Sequence, residues 1–229
     1  MKVKIFTVLP EMFPGALGFS LTGRALTDGK WSLEVINIRD YALDKHASVD
    51  DTPFGGGAGM VMRADVLGRV LENNYKGGKL INMSPRGVVF NQEMAHQLSC
   101  EDELNIICSR FEGVDERVLE EYHALDVSIG DYVLSGGEQA AVIVLDAILR
   151  LLPDVLGNAD SIKDESFEQG LLEYPQYTRP NVWKGREVPE ILLSGHHRKI
   201  DLWREEKSQE ITKQRRPDLW KKYLASKQN

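Results

Sequence analysis

Three stretches of this chain have residue types and spacings that can do chemistry. Residues 128–138 read Ser-Ile-Gly-Asp-Tyr-Val-Leu-Ser-Gly-Gly-Glu. Gly130, Gly136 and Gly137 open the backbone to dihedrals closed to other residues and let a ligand approach the main chain. That is the build of a small-molecule pocket. The spacing is not the dinucleotide pattern G-x-G-x-x-G, and no Lys-Ser or Lys-Thr pair follows as a phosphate loop requires. A second cluster, Pro53-Phe54-Gly55-Gly56-Gly57-Ala58-Gly59-Met60, follows a polar stretch with Asp50 and Asp51. It suits a surface that closes over a flat ligand such as a base, a flexible linker being the alternative. The third stretch is Asp164-Glu165-Ser166-Phe167-Glu168. Acids there are ordinarily solvated, yet a carboxylate within hydrogen-bond reach of a substrate nitrogen is a suitable base. Arg150 ends an apolar run, where it meets a helix dipole or a phosphate. His196 and His197 are adjacent, whereas helix metal ligands sit four apart, and no metal site is expected.

The elements that must position these residues alternate. Residues 2–9, 32–38, 79–84, 104–109 and 124–129 read as strands, rich in Val, Ile and Phe. Residues 64–75, 91–98, 114–122 and 138–152 read as helices, the last apolar on nearly every face and so expected in the core or against another subunit. The alternation implies an α/β domain with a mostly parallel sheet. Three strand ends, at 82–87, 108–113 and 128 onward, are followed by turn-like sequence. Ligands of open α/β sheets bind outside the carboxyl ends of the strands, so the three ends can share one pocket or be ordinary turns.

Residues 158–170 are polar and without periodicity, the best place for a linker. The expected division is a cofactor-binding domain over 1–157, a linker over 158–174 and a helical domain over 175–229. In the last, residues 194–214 form an amphipathic helix with Ile200, Trp203 and Ile211 inward, and 215–224 a short helix with Pro217 in its first turn.

At 229 residues with 42% hydrophobic content, the chain can bury a real core. No apolar run reaches the roughly 18 residues of a membrane span, and the start lacks a signal peptide's apolar region, so a soluble cytoplasmic protein is expected. Cys100 and Cys108 have neither metal nor redox spacing and read as structural. The net charge of −7 hides an asymmetry. Residues 179–229 hold 13 Lys+Arg against 7 Asp+Glu, a balance of +6, and the preceding residues hold 15 against 28, a balance of −13. A basic tail on an acidic body hints at nucleic-acid or membrane contact, a solvated helix face being the plain alternative.

Taken together, these segments resemble the bacterial tRNA (guanine-N1)-methyltransferases of the TrmD family, trefoil-knotted SPOUT enzymes. The likeness runs through Leu9-Pro10-Glu11-Met12-Phe13, Thr22-Gly23-Arg24-Ala25, Val49-Asp50-Asp51 and the Gly55 cluster. It continues through Glu112-Gly113-Val114-Asp115-Glu116-Arg117, the Ser128 run, Tyr177-Thr178-Arg179-Pro180, Ser194-Gly195-His196-His197 and Arg215-Arg216-Pro217. The last part is shorter than the family leads one to expect.

The resemblance implies a knotted α/β domain with a small C-terminal helical domain, a homodimer, and methyl transfer from S-adenosyl-L-methionine to the guanosine 3′ of the anticodon in tRNA. It leaves a contribution from Mg2+ open. The cofactor residues it implies are Met83, Ser84 and Pro85 on one loop and Ser109 and Glu112 on the next. On the third they are Ile129, Gly130, Asp131, Tyr132, Val133, Leu134, Gly136 and Gly137. Gly55, Gly56, Gly57, Gly59, Ser166, Arg179, His196 and Arg215 are implied to hold the RNA. Glu165 is implied as the base, with Asp164 as fallback and Arg150 stabilising charge on the guanine. Four positions depart from the family pattern. Ser109 and Phe111 replace glycine and tyrosine, and Glu165 and Glu173 stand where aspartate is usual. The rival expectations are a knotted methyltransferase acting elsewhere on RNA and a non-catalytic RNA-binding protein; a Rossmann-type methyltransferase is disfavoured by the missing glycine fingerprint.

Overall fold

Strand β1 (Lys2–Thr7) buries Val3 and Ile5 in one apolar cluster and Phe6 in another, the mark of a strand covered on both faces. Its neighbours complete a five-stranded sheet: β2 (Ser32–Asn37) on one side, then β6 (Glu103–Ile107), β5 (Lys79–Val89) and β7 (Leu125–Ser128) on the other. Every pairing is parallel. Helices α1 (Ser20–Thr27), α3 (Gln92–Ser99) and α5 (Glu138–Leu149) pack with Val3, Ile5, Trp31, Ile81 and Ile106. Helices α2 (Ala64–Asn74) and α4 (Glu116–Glu121) pack with Phe6, Ile36 and Ile107. The computed structural model describes residues 1–156 and 165–227, and the chain divides into Met1–Gly157 and Asn158–Asn229.

The expected strands and main helices are present, with ends shifted by a few residues, as caps and fraying allow. Two differences matter. Strand β5 does not stop at Ser84. It runs to Val89, with its register against β7 shifting between Met83 and Val88, so that both of these residues pair with Val127. The segment Ser84–Gly87 is therefore a bulge within a strand rather than a turn after one. Gly87 permits it, since a Cβ there would lie 2.3 Å from the Asp126 carbonyl carbon. Helix α5 is not buried all round either. Ala141, Val144, Leu145, Ile148 and Leu149 are buried, whereas Ile143 is 51% exposed on a stripe shared with the polar Gln139 and Asp146.

After β7, at the sheet edge, the chain crosses back over β5. Arg110 and Gly136 form an antiparallel bridge, and the Gly137 N–H donates to the Ser109 carbonyl at 2.9 Å. Thr7, at the end of β1, then meets the first residue of α5. The loop after β7 is thus laid across the loop after β6.

Short elements without sequence periodicity were not expected: three 3-10 turns, α1, and the ladder of β3 (Asp50–Asp51) with β4 (Val61–Met62). In the second unit the same is true of the hairpin β8 (Val182–Trp183) and β9 (Arg186–Glu187) and of α6 (Glu190–Leu193). Helix α7 (His197–Arg215) starts after Gly195, whose φ of +71° breaks the run. It turns Ile200, Ser208 and Thr212 inward, with Trp203 and Ile211 half-buried. Pro217 opens α8 (Pro217–Ser226).

The two cysteines differ. Cys100 is exposed and Cys108 buried, and burial pushes the Cys108 thiol well above its ordinary value, reinforced by the Glu138 carboxylate and opposed by Arg110. Since the thiolate is the reactive form, a water-soluble disulfide reagent at neutral pH is expected to label one thiol in the native protein and both in denaturant. Rapid native labelling of both would contradict the placement of Cys108.

Candidate active site

The bulge Ser84–Gly87, the loop after β6 and the loop after β7 line one cavity of about 350 Å3, within the range of small-molecule sites. The three strand ends therefore do converge. Apolar walls come from Ile129, Val133 and Leu134, and main-chain groups from Gly113, Gly130 and Gly137. Asn82 lines it too; its side-chain amide donates to Asp126 at 2.8 Å, while its buried Oδ1 lacks a partner. The cavity offers a flat ligand apolar faces and offers main-chain groups to the ligand's edges.

What holds the loops over the cavity lies beneath it. Glu138 is fully buried at the start of α5. Its Oε1 accepts from the Thr7 hydroxyl at 2.8 Å and from Arg110 Nε at 3.5 Å. Arg110 Nη1 in turn donates to the Ser135 carbonyl at 3.1 Å. One carboxylate thus links the end of β1, the loop after β6 and the loop after β7. A buried charge needs such partners, and losing one of them costs about 3–5 kcal/mol in comparable pairs. The 3.5 Å contacts and the unbonded Oε2 put this anchor at the low end. Gly136 makes room for it, because a Cβ there would meet Glu138 Oε2 at 2.5 Å and Arg110 Nε at 2.8 Å.

Ser109 is accommodated through its side chain. Its hydroxyl is buried and donates to the Met83 carbonyl at 2.9 Å, tying the first loop to the second, a bond worth about 1 kcal/mol. Phe111 lines the cavity, takes a φ of +60° and is 48% exposed.

Of the cofactor residues named above, Met83, Ser84, Pro85, Ser109, Glu112, Ile129, Gly130, Tyr132, Val133, Leu134, Gly136 and Gly137 all line the cavity. Asp131 is not among the lining residues and is exposed. Arg86, Arg110 and Ser135 line it as well. Sequence reasoning missed Arg110 and the anchor Glu138. Glu138 looks like an ordinary acid in a helix's first turn, and only the fold brings it to Thr7.

Glu165 belongs to the second unit. With Tyr174, Asp201, Arg204, Glu205 and Ser208 it lines a cavity of about 220 Å3. The guanidinium of Arg204 stands 5.0 Å from the Tyr174 ring. The segment carrying Glu165 is pinned by backbone and side-chain bonds. The Phe167 N–H donates to the Leu171 carbonyl at 2.8 Å, and the Glu173 N–H donates to Ser166 Oγ at 3.0 Å. The buried Thr212 hydroxyl accepts from the Leu172 N–H at 2.8 Å and donates to the Ser208 carbonyl at 2.6 Å. Asp164 lies outside the described residues. Arg150 caps α5 at its C-terminal end; twelve residues at 1.5 Å each put it about 18 Å along the helix from the anchor end.

The glycine cluster is an exposed loop. A Cβ added at Gly55, Gly56 or Gly57 would meet open space, whereas one on Gly59 would strike the Glu112 carboxylate. Met60 accepts from the Glu112 N–H at 2.8 Å, so this loop rests on the second cavity loop. In the second unit Arg179, His196 and Arg215 are exposed. Among the described residues no cluster of His, Cys, Asp or Glu is arranged to ligate a metal, and no helix is long and apolar enough to cross a membrane.

Comparison with known proteins gives the family. A family model described as tRNA (Guanine-1)-methyltransferase TrmD matches residues 1–222. A protein of Bartonella tribocorum named tRNA (guanine-N(1)-)-methyltransferase is 56% identical over 227 residues, 99% of this chain and 98% of that protein. Relatives of the same name are 54% identical in Rhodospirillum rubrum, over 99% of this chain and 95% of that protein, and in Pelagibacter ubique, over 97% and 98%. By a family model spanning all but its last few residues, and by relatives more than half identical, this chain belongs to the tRNA (guanine-1)-methyltransferase TrmD family of SPOUT methyltransferases.

Proposed function

We propose that the protein transfers a methyl group from S-adenosyl-L-methionine to N1 of the guanosine 3′ of the anticodon in tRNA. The observation that carries this reading is the convergence of the three strand-end loops on one apolar, main-chain-lined cavity in a chain of this family. The lining suits the methyl donor. Ile129 and Leu134 offer apolar contact to adenine, and the glycines let ring edges reach backbone groups. When bound, S-adenosyl-L-methionine supplies an electrophilic methyl on a sulfonium.

The chain's residues then act on the guanine. Its N1 carries a proton and is a poor nucleophile until that proton leaves. Glu165 accepts it as general base. Arg150 faces negative charge developing on the guanine oxygen. The Arg150 end of α5 and the loop cavity are a helix length apart in one copy, which supports the reading that two copies build each site. Arg179, His196 and Arg215 contact phosphates and position the tRNA, and Gly55, Gly56, Gly57, Gly59 and Ser166 close on the target nucleotide. Presenting N1 requires the guanine to leave its stack. A cytoplasmic location fits such a substrate.

The test is labelled S-adenosyl-L-methionine with two transcripts of one tRNA, guanosine or adenosine at position 37. Label on the guanosine transcript alone is expected. Equal label on both would move the target, and no label with cofactor bound would reject the tRNA assignment.

A further inference from the structure

The turn of the hairpin β8–β9 carries a lysine where the backbone disfavours one. Val182 pairs with Glu187 and Trp183 with Arg186, and the two residues between, Lys184 and Gly185, have φ of +51° and +74°. Positive φ at both central positions is the type I′ geometry, which selects Asn-Gly, Asp-Gly or Gly-Gly. A lysine there is uncommon and strained. It sets the Lys184 ammonium 4.9 Å from the centre of the Trp183 ring.

The ring itself is left largely to solvent. Trp183 is 57% exposed and Val182 53%, and the whole run 176–187 is exposed. Arg186 stands directly across the ladder from Trp183, and residues directly opposite share a face of the hairpin. An indole left largely in water beside one cation and paired across the ladder with another, on a tight turn, is a poor choice for stability.

It is a good choice for a polyanion with flat bases. We propose that the tip of this hairpin is a stacking platform for an unpaired nucleotide of the RNA substrate, Trp183 taking the base and Lys184 and Arg186 the flanking phosphates. The proposal rests on the tRNA reading and adds a contact that the reading does not require. Base stacking on an aromatic ring tolerates any sequence, and the cations fix register rather than choose the base. The balance of +6 over residues 179–229, against −13 over the rest, favours a polyanion at this end of the chain, and the exposed indole favours one that carries flat bases.

The test is equilibrium binding of an unmodified tRNA transcript with guanosine at position 37 to the full chain across a salt series. Trp183→Ala is expected to weaken binding about 10-fold or more, and Trp183→Phe to recover most of that loss. Lys184→Asn removes a charge while suiting the turn. It is therefore expected to leave Tm unchanged or raised and to lower the slope of log K against log salt by about 0.7. A structural role would move Tm and leave that slope alone. Far-UV circular dichroism, to which helices α7 and α8 contribute, reports that the second unit of each variant is folded. Trp183→Ala within two-fold of the unaltered protein, an unchanged slope for Lys184→Asn, or a Trp183→Ala variant that sediments as a smaller species would each overturn the platform. If the unaltered protein neither binds nor methylates the transcript, the tRNA reading fails and the platform with it.

Discussion

Glu165→Gln is expected to slow single-turnover methylation of tRNA by about 10²- to 10⁴-fold, the usual worth of a positioned general base, with cofactor affinity unchanged. Glutamine matches glutamate in size and can keep hydrogen bonds on one side, but it cannot carry away the N1 proton. The substitution tests chemistry because the surrounding segment is independently held. Thr212 fixes Leu172, Ser166 fixes Glu173, and the Phe167 N–H closes on Leu171. These bonds are made by other groups, and a glutamine of the same size is expected to leave them in place. Cofactor affinity should survive as well, since the loop cavity lies in the first unit and Glu165 in the second. An unchanged rate in Glu165→Gln would remove the residue from the proton transfer and leave Asp164 as the carboxylate to vary next.

The parts of the site legible in the sequence were those where local composition forces local geometry. Glycines and turn residues after β-rich runs, at Ser109–Gly113 and Ile129–Gly137, mark strand ends whatever else surrounds them. Their convergence followed from the rule that open α/β sheets bind at one end. The bulge at Ser84–Gly87 was misread because Pro85 looks like a strand breaker. Proline is tolerated where a bulge takes the backbone out of the ladder, and β5 resumes through Val88 and Val89. Long-range pairings left no local trace. Thr7 and Glu138 are 131 residues apart, and neither stands out from its neighbours. The β8–β9 hairpin escaped notice for the opposite reason, since Lys-Gly is not a turn pair that composition advertises.

The pocket glycines separate two kinds of constraint, and replacing two of them should give opposite results. Gly130 has a φ of +144°, a conformation in which a β-branched residue is strained by about 1–3 kcal/mol. The atoms nearest to a Cβ there belong to the Tyr132 ring, the first at 2.7 Å. Tyr132 is 53% exposed and Val133 83%, so the loop can relieve the strain by moving into solvent. Gly130→Val should therefore cost at least about 10-fold in S-adenosyl-L-methionine affinity, about 1.4 kcal/mol, with little change in Tm. Gly137 has an ordinary φ of −79°, and its constraint is space. A Cβ would lie 2.9 Å from the Cys108 Cα and 3.0 Å from the Met83 Cβ. Its N–H donates to Ser109 and its carbonyl accepts from Ala141, at 2.9 and 2.8 Å, so it cannot swing away. Overpacking of this kind costs about 1–3 kcal/mol or more, and in a domain of this size each kcal/mol lowers Tm by about 2–4 °C. Gly137→Val should thus be read first in Tm, and Gly130→Val first in cofactor titration. Normal cofactor binding by a well-folded Gly130→Val protein would take the loop after β7 out of the binding site. A Gly137→Val protein with unchanged Tm would mean that α5 does not hold the loops as Glu138, Ser109 and Thr7 place them.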